Sequence, residues 1–237
     1  MKHKKTLSVL ALVTSCIVGS NAQATLIDRG SGLLYDDVLK VTWLQDANYA
    51  KTSGYSATGL MDWASANIWA ANLEYNGLTS WRLATNTPVN GISFNNYIRS
   101  YDGSTDLGFN ITSPNSELAY MYNVNLGLKD WYDTNGNYQA DYGIFGNGTF
   151  GGQNNVGLVK NLRSYAYWSG AEYTSLSEVA WNFGTSQGNQ GINVKIASLY
   201  AWAVHPGDVA PVPIPATIYL FGTGLLGLLR FKRRKTA

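Results

Sequence analysis

Cysteine and histidine are scarce in this chain, and their scarcity restricts the chemistry that it can perform. The 237 residues include one cysteine, Cys16, and two histidines, His3 and His205. Residues 25–208 therefore hold no thiol and one imidazole, which excludes an internal disulfide, a Cys–His catalytic pair and a two-histidine zinc motif. A Ser-His-Asp triad would have to use His205, whose place in a His-Pro-Gly-Asp turn is more typical of a solvated loop residue.

Positive charge is also scarce in the central part of the chain. All 15 acidic residues lie between Asp28 and Asp208, whereas eight of the 17 basic residues lie near the two ends. Residues 25–208 carry nine basic and 15 acidic residues, a net charge of −6, although the whole chain is +2. This balance disfavours nucleic acid, or an anionic polymer held by bulk charge, as a partner. A ligand that is neutral, or that is bound through a bridging cation, is more compatible with this negative charge.

The N-terminal residues 1–24 have the pattern of a secretory signal peptide. Three lysines precede an apolar run over residues 7–18, and a small-residue cleavage box follows, formed by Ala22, Gln23 and Ala24. We expect the secretion machinery to export the chain and the mature protein to begin near Thr25. Residues 13–16 leave one alternative open, a lipoprotein box that would make Cys16 the lipidated first residue.

The C-terminal residues contain a linker with a short motif at 209–216, an apolar run and a basic tail, in that order. The motif consists of Val212, Pro213, Ile214, Pro215 and Ala216. Its prolines favour an extended, accessible segment. The apolar run begins at residue 214, and we predict a transmembrane helix over 217–229, marginal in length but aided by its basic flank. The basic tail, 230–237, predicts that the preceding residues lie outside the inner membrane.

This C-terminal arrangement resembles the PEP-CTERM sorting signal in its VPLPA-type variant, with Ile214 where the commoner form has leucine. The resemblance implies processing by an exosortase after transient anchoring in the inner membrane. It also implies a final location at the cell surface or in the extracellular matrix of a bacterium that makes extracellular polysaccharide. A membrane anchor that is never cut is the open alternative.

The patterns within residues 25–208 predict one α+β domain. Residues 33–35 and 41–44 predict a hairpin around an Asp36-Asp37 turn, and residues 60–73 and 114–124 predict two helices. Further strands are predicted at 164–168, 179–183 and 199–204, and long loops at 86–110 and 134–157. We expect five strand aromatics to lie in the core. They are Tyr165, Tyr167, Trp168, Trp181 and Trp202.

The order of several landmarks resembles the Lcl C-terminal domain family, which is named for bacterial collagen-like adhesins. The landmarks lie at residues 43–49, 61–66, 81–85, 167–170 and 201–204. The resemblance implies a C-type-lectin-like domain with two helices, short antiparallel strands and long loops, to which the C-terminal transmembrane helix would be added. Some members act as surface adhesins. This chain departs from the family at Ala84, where proline is usual, and at His205, where arginine is common.

Oxygen-bearing side chains in one polar loop suggest a calcium site. Asp133, Asn135, Asn137 and Asp141 occupy relative positions 1, 3, 5 and 9 of an EF-hand-type loop. Tyr138 replaces the usual glycine, and the chain lacks the final glutamate of such a loop. An ordinary Asn/Asp/Gly surface loop is therefore the alternative, and no other cofactor is expected.

A carboxylate pair is the remaining route to catalysis, as in glycosidases. The sequence offers candidates without a spacing that selects a pair: Asp36, Asp37, Glu117, Glu172 and Glu178. We therefore expect a non-enzymatic surface or matrix protein, an adhesin or a polysaccharide-associated binding protein. A polysaccharide-active hydrolase and a purely structural coat protein are the alternatives.

Overall fold

A computed structural model describes residues 26–209. The predicted signal peptide at 1–24, with its cleavage box at Ala22–Ala24 and the alternative at Cys16, lies outside these residues. The sorting motif at 212–216, the predicted transmembrane helix at 217–229 and the basic tail at 230–237 also lie outside them. No helix among residues 26–209 is long and apolar enough to cross a membrane.

The strands within this range are short and numerous. In chain order they are β1 (Leu26–Gly30), β2 (Leu33–Asp36), β3 (Val41–Leu44), β4 (Arg82–Leu83), β5 (Arg99–Ser100), β6 (Leu107–Phe109), β7 (Gln153–Val156), β8 (Val159–Arg163), β9 (Ala166–Glu172), β10 (Val179–Gly184), β11 (Asn189–Val194) and β12 (Ala203–Pro206). The helices are α1 (Tyr49–Thr52), α2 (Trp63–Ala71) and α3 (Glu117–Tyr120), and a π-helical turn (Met121–Asn125) continues α3.

The strands form two five-stranded sheets and one separate hairpin. The first sheet has the order β1-β2-β3-β12-β4, so the last strand of the described residues inserts between two early ones. The second has the order β5-β6-β11-β10-β9, in which the β5–β6 pair is parallel, and β7 pairs with β8 apart from both. Because β12 joins β3 and β4, strands distant in sequence close the first sheet.

Tryptophan side chains are prominent in the core, to which both sheets contribute residues. Trp43 of β3 packs on Trp202 with ring centroids 4.7 Å apart, and both rings are buried. The indole N–H of Trp202 donates to the carbonyl of Leu44 at 2.7 Å, and that of Trp168 donates to Met61 at 2.9 Å. Such bonds let a large indole be buried without leaving its donor unpaired.

Some of the sequence predictions are confirmed. The hairpin is present, since β2 pairs with β3 in the register Leu34 opposite Trp43. The predicted core aromatics Tyr167, Trp168, Trp181 and Trp202 are buried. Tyr165 is half-buried and packs against the core. The runs 33–35 and 41–44 are buried throughout, which explains why continuous apolar stretches predicted them.

The predicted α+β class, and with it the C-type-lectin-like architecture with two helices, is wrong. The protein is mostly β, with 34% strand and 12% helix, and it has three α-helices in the range described. The polar segments predicted as loops contain β5, β6 and β7, and the strand β11 has the sequence NQGINV. Propensity does not favour these residues as strands; their neighbours in the sheet supply the pairing.

The two predicted helices are present but shorter than expected. α2 begins at Trp63 because the Asp62 side chain caps it, accepting a hydrogen bond from the Ser65 N–H at 2.7 Å. α3 begins only at Glu117, since Ser116 is extended and its hydroxyl donates to Gln190 of β11. After one turn, α3 changes to the π-helical turn at Met121. Because both helices are shorter than predicted, the described residues contain less helix than an α+β fold would require.

Candidate functional site

Six aromatic side chains form a connected cluster at the surface, which we call the ring cluster. Its members are Tyr101, Phe109, Trp131, Tyr132, Tyr138 and Tyr142. Tyr101 stacks on Phe109 with centroids 5.9 Å apart and planes 8° from parallel, and both rings contact Tyr132. The ring centroid of Trp131 lies 5.2 Å from that of Tyr132 and 5.9 Å from that of Tyr142. The centroids of Tyr142 and Tyr138 are 6.1 Å apart.

The ring cluster extends from the interior to the solvent. Phe109 is buried, whereas Tyr101 is 41% exposed and Tyr138 is 62% exposed. Trp131, Tyr132 and Tyr142 are half-buried. The exposed rings are therefore held by other rings on one side and open to solvent on the other. Such a surface offers a fixed apolar face to a ligand with little ordering cost on binding.

Asn110 links the two chain segments that supply the rings. Its side-chain amide donates to the carbonyl of Tyr101 at 2.7 Å and to that of Tyr132 at 2.8 Å. Its backbone has a φ of 55°, a left-handed conformation that asparagine tolerates better than most residues. One side chain thus fixes the spacing between Tyr101 and Tyr132.

A buried carboxyl group, Asp130, lies beneath the same region. Asp130 is 1% exposed; one of its oxygens accepts from the Asn110 N–H, and the other has no partner among the described residues. Gly188, at φ +75°, comes so close that a Cβ there would lie 2.0 Å from Oδ1. Burial raises the pKa of Asp130 to about 8, because no cation compensates for its lost hydration. The same burial, with the nearby Asp130, raises the pKa of Tyr122.

The loop predicted to bind calcium turns back between two members of the ring cluster. Tyr132 and Tyr138 face each other across it in an isolated bridge. The Asp133 carboxylate accepts from the N–H groups of Asn135 and Asn137 at 2.9 and 2.8 Å and from the Asn137 amide at 3.0 Å. These bonds, above all that from the Asn137 side chain, lower the pKa of Asp133.

The structure brings three of the four predicted calcium ligands into this turn. The fourth, Asp141, pairs instead with Lys129. The hydrogen bond from Lys129 lowers the pKa of Asp141. Among residues 26–209, no group of three or more His, Cys, Asp or Glu side chains is placed to hold a metal ion. A calcium ion would have to displace the internal hydrogen bonds of Asp133, so the calcium site stays a prediction.

The candidate catalytic carboxylates have structural partners. Glu117 binds Arg82 through two bonds of 2.7 Å and accepts from the Thr85 N–H. Asp36, which Asp37 follows in the same turn, accepts from the N–H groups of residues 38 and 39 and from the Asn125 amide.

The last two candidates, Glu172 and Glu178, lie near one lysine. Glu172 pairs with Lys195. A Ser177 hydroxyl, and to a smaller extent the Lys195 charge, lowers the pKa of Glu178. Glu172 and Glu178 thus form surface contacts, whereas Asp36 and Glu117 are buried with partners of their own.

His205, the only imidazole among the described residues, lies in a strand and not in a solvated turn. It is part of β12, it is half-buried, and its ring meets Trp81 edge-on at 5.4 Å. Its Nδ1 atom is buried and has no hydrogen-bond partner within the described range. The expectation of a solvated loop residue was therefore wrong, because the final strand extends through His205 to Pro206.

Sequence reasoning missed Asn110, Asp130 and the exposed rings Tyr101 and Tyr138. One signal was available in the dipeptide Tyr-Asp, which occurs at 35–36, 101–102 and 132–133 and supplies a ring of the cluster in the last two copies. In all three copies the aspartate accepts a hydrogen bond from the N–H two residues later, so the dipeptide marks a tight turn after a tyrosine. No comparable pattern marks Asn110 or Asp130, which depend on long-range contacts.

No family model, curated protein or solved structure matches this chain. The geometry of the described residues, together with the sequence patterns, therefore carries the functional argument.

Proposed function

We propose that this is an exported, non-enzymatic protein of the bacterial cell surface or extracellular matrix that binds a neutral polysaccharide through the ring cluster. In this proposal the secretion machinery recognises residues 1–24, and an exosortase processes the motif at 212–216. The pattern resembling a PEP-CTERM signal supports the route of export. The exposed, pre-positioned rings Tyr101 and Tyr138 are the observation that carries the binding function.

The chemistry of the ring cluster suits a sugar. Aromatic faces pack against the C–H surface of a sugar ring, and polar side chains beside them bind its hydroxyl groups. Here Asn135 and Asn137 are exposed on the turn that joins Tyr132 to Tyr138. The net charge of −6 over residues 26–209 disfavours an anionic polymer.

A glycan array tests this proposal with the full chain purified in detergent, with and without calcium, together with product analysis on the host's own exopolysaccharide. Saturable binding without new reducing ends supports a binding protein, and its loss in chelator would support the predicted calcium site at the Asp133 turn. New reducing ends would instead favour the polysaccharide-active hydrolase. Absence of binding in both conditions would favour the purely structural coat protein.

The processing step has a separate test. We expect co-expression with an exosortase to shorten the wild-type chain at its C-terminus, as read by intact mass. Replacing Pro213 and Pro215 with alanine should prevent the shortening, because the extended motif is lost. An unshortened wild-type chain would favour an anchor that is never cut.

A further inference from the structure

A pocket of about 340 Å³ lies between the C-terminal ends of α1 and α2. Its lining includes Ser53, Tyr55, Trp69, Asn72 and Glu74, none of which belongs to the ring cluster. The volume is at the lower end of the range for small-molecule sites, so the pocket suits one small ring or a short chain end.

Two aromatic side chains give this pocket an apolar floor and an exposed rim. Trp69 of α2 is 3% exposed, and it is anchored in the main core. Tyr55, after α1, is 57% exposed. Trp69 therefore supplies a fixed apolar base, and the exposed Tyr55 ring is available to stack on the C–H surface of a ring or to face a cation.

The polar part of the lining is negative. Glu74 forms no ion pair or hydrogen bond with any of the described residues. α2 has no basic residue in its last turn, so no side chain of its own offsets the negative end of the helix dipole. Lys51, in the last turn of α1, is not part of the lining. A positive group in the pocket would therefore meet an unpaired carboxylate and a helix C-terminus together.

The hydrogen-bonding groups of the lining also favour a ligand rich in donors. The Asn72 amide donates to the carbonyl of Ile68 at 3.0 Å, and the Ser53 hydroxyl donates to that of Ala50 at 3.4 Å. These bonds use the Ser53 hydroxyl proton and one of the two Asn72 amide protons, while the oxygens of Asn72 and Ser53 keep the capacity to accept. With the two oxygens of Glu74, the lining offers mainly acceptors.

We propose that this pocket binds the protonated amino group and ring of an amino sugar unit, with the ammonium at Glu74 and the ring against Tyr55. An N-acetylated unit has the same ring but lacks the charge, so it loses the interaction with Glu74 and with the end of α2. The inference goes beyond the proposed function, because it uses a different surface and a different ligand charge.

Calorimetry with the full chain in detergent tests the pocket, using a glucosamine tetramer and its N-acetylated counterpart at pH 6. We expect the amine form to bind at least about tenfold more tightly, and Glu74→Gln to reduce its affinity about tenfold, equivalent to about 1.4 kcal/mol. The matched control Glu178→Gln removes another exposed carboxylate and should leave the affinity unchanged. Tyr55→Ala should weaken both tetramers, since the ring contact is common to them.

Equal affinity for the two tetramers, or unchanged affinity in Glu74→Gln, would overturn the proposal. Tighter binding of trilysine than of the glucosamine tetramer would overturn the assignment to a sugar. The ring cluster is tested independently, because Glu74→Gln should not alter neutral-glycan binding and Tyr138→Ala should not alter binding of the glucosamine tetramer.

Discussion

The backbone N–H of Asn110 donates to the buried carboxylate of Asp130, while the Asn110 side chain joins Tyr101 to Tyr132. One residue thus connects the buried acid beneath the ring cluster to the rings at its surface. Because Asp130 has a second oxygen without a partner in the described range, its protonation state bears on the stability of this region.

The titration of the buried Asp130 carboxyl group should make the stability of the protein depend on pH. Its pKa is about 8 in the folded protein and 3.8 ordinarily, so the folded state holds the proton more tightly. The free energy of unfolding therefore falls as the pH rises from about 4 to about 8, by at most about 1.4 kcal/mol per pH unit. Above about pH 8, Asp130 causes no further decrease. Asp130→Asn should lack this loss and become the more stable protein near pH 8, as measured by urea unfolding at several pH values.

Asp133→Asn is the matched control for that experiment. Asp133 is half-buried on its turn, and the Asn137 side chain lowers its pKa. Its contribution to stability is present above its ordinary pKa and is lost as the pH falls through the lower folded value. The stability that wild type gains over this variant should therefore be constant above about pH 4 and disappear only in acid. Parallel pH profiles for wild type and Asp130→Asn would contradict a buried, protonated Asp130.

Removing the Asn110 side chain should loosen the ring cluster. Asn110→Gly keeps the left-handed backbone and deletes both side-chain hydrogen bonds, which we expect to cost about 1–2 kcal/mol and to reduce the near-UV circular dichroism of the aromatic residues. Asn76→Gly is the control, since Asn76 has a φ of 53° and bonds the Ser31 carbonyl elsewhere on the surface. Equal near-UV spectra for the two variants would show that Asn110 does not hold the rings.

The Arg82–Glu117 pair should stabilise the junction between β4 and α3. Glu117→Gln keeps an acceptor for the Thr85 N–H but loses the charged pair, and we expect a loss of about 1–3 kcal/mol in the free energy of unfolding. The half-exposed Arg82 remains hydrated, which limits the cost. Glu178→Gln, at an exposed site, should change stability by less than about 0.5 kcal/mol. Equal effects of the two substitutions would contradict this role.

Tyr138 should contribute more to glycan binding than an isolated tyrosine does. Tyr138→Ala removes a 62% exposed ring that is held by Tyr142, and we expect glycan affinity to fall at least about tenfold. Tyr97→Ala is the matched control, since Tyr97 is 91% exposed and has no ring contact within the described residues. A larger loss in Tyr97→Ala would move the binding surface away from the ring cluster.

Elements whose burial is continuous along the chain could be predicted from the order of residues alone. The runs at 33–35 and 41–44 form a buried hairpin, and most of the strand aromatics lie in the core. Burial of a continuous apolar run is favourable in proportion to its apolar surface, so the run itself indicates that it is buried. The lack of cysteine and the single histidine likewise determine which catalytic and metal chemistries residues 25–208 cannot contain. The export signals remain predictions that stand on sequence patterns.

The class of the fold and the candidate sites depend instead on tertiary contacts. Polar strands such as Asn189–Val194 gain their conformation from neighbours in the sheet, so local propensity could not reveal them. The Asn110–Asp130 contact joins residues 20 apart, and the ring cluster combines rings from residues 101–109 with rings from residues 131–142. Exposure, ring stacking and the raised pKa of a buried acid arise from packing between distant segments, which the order of residues along the chain does not show.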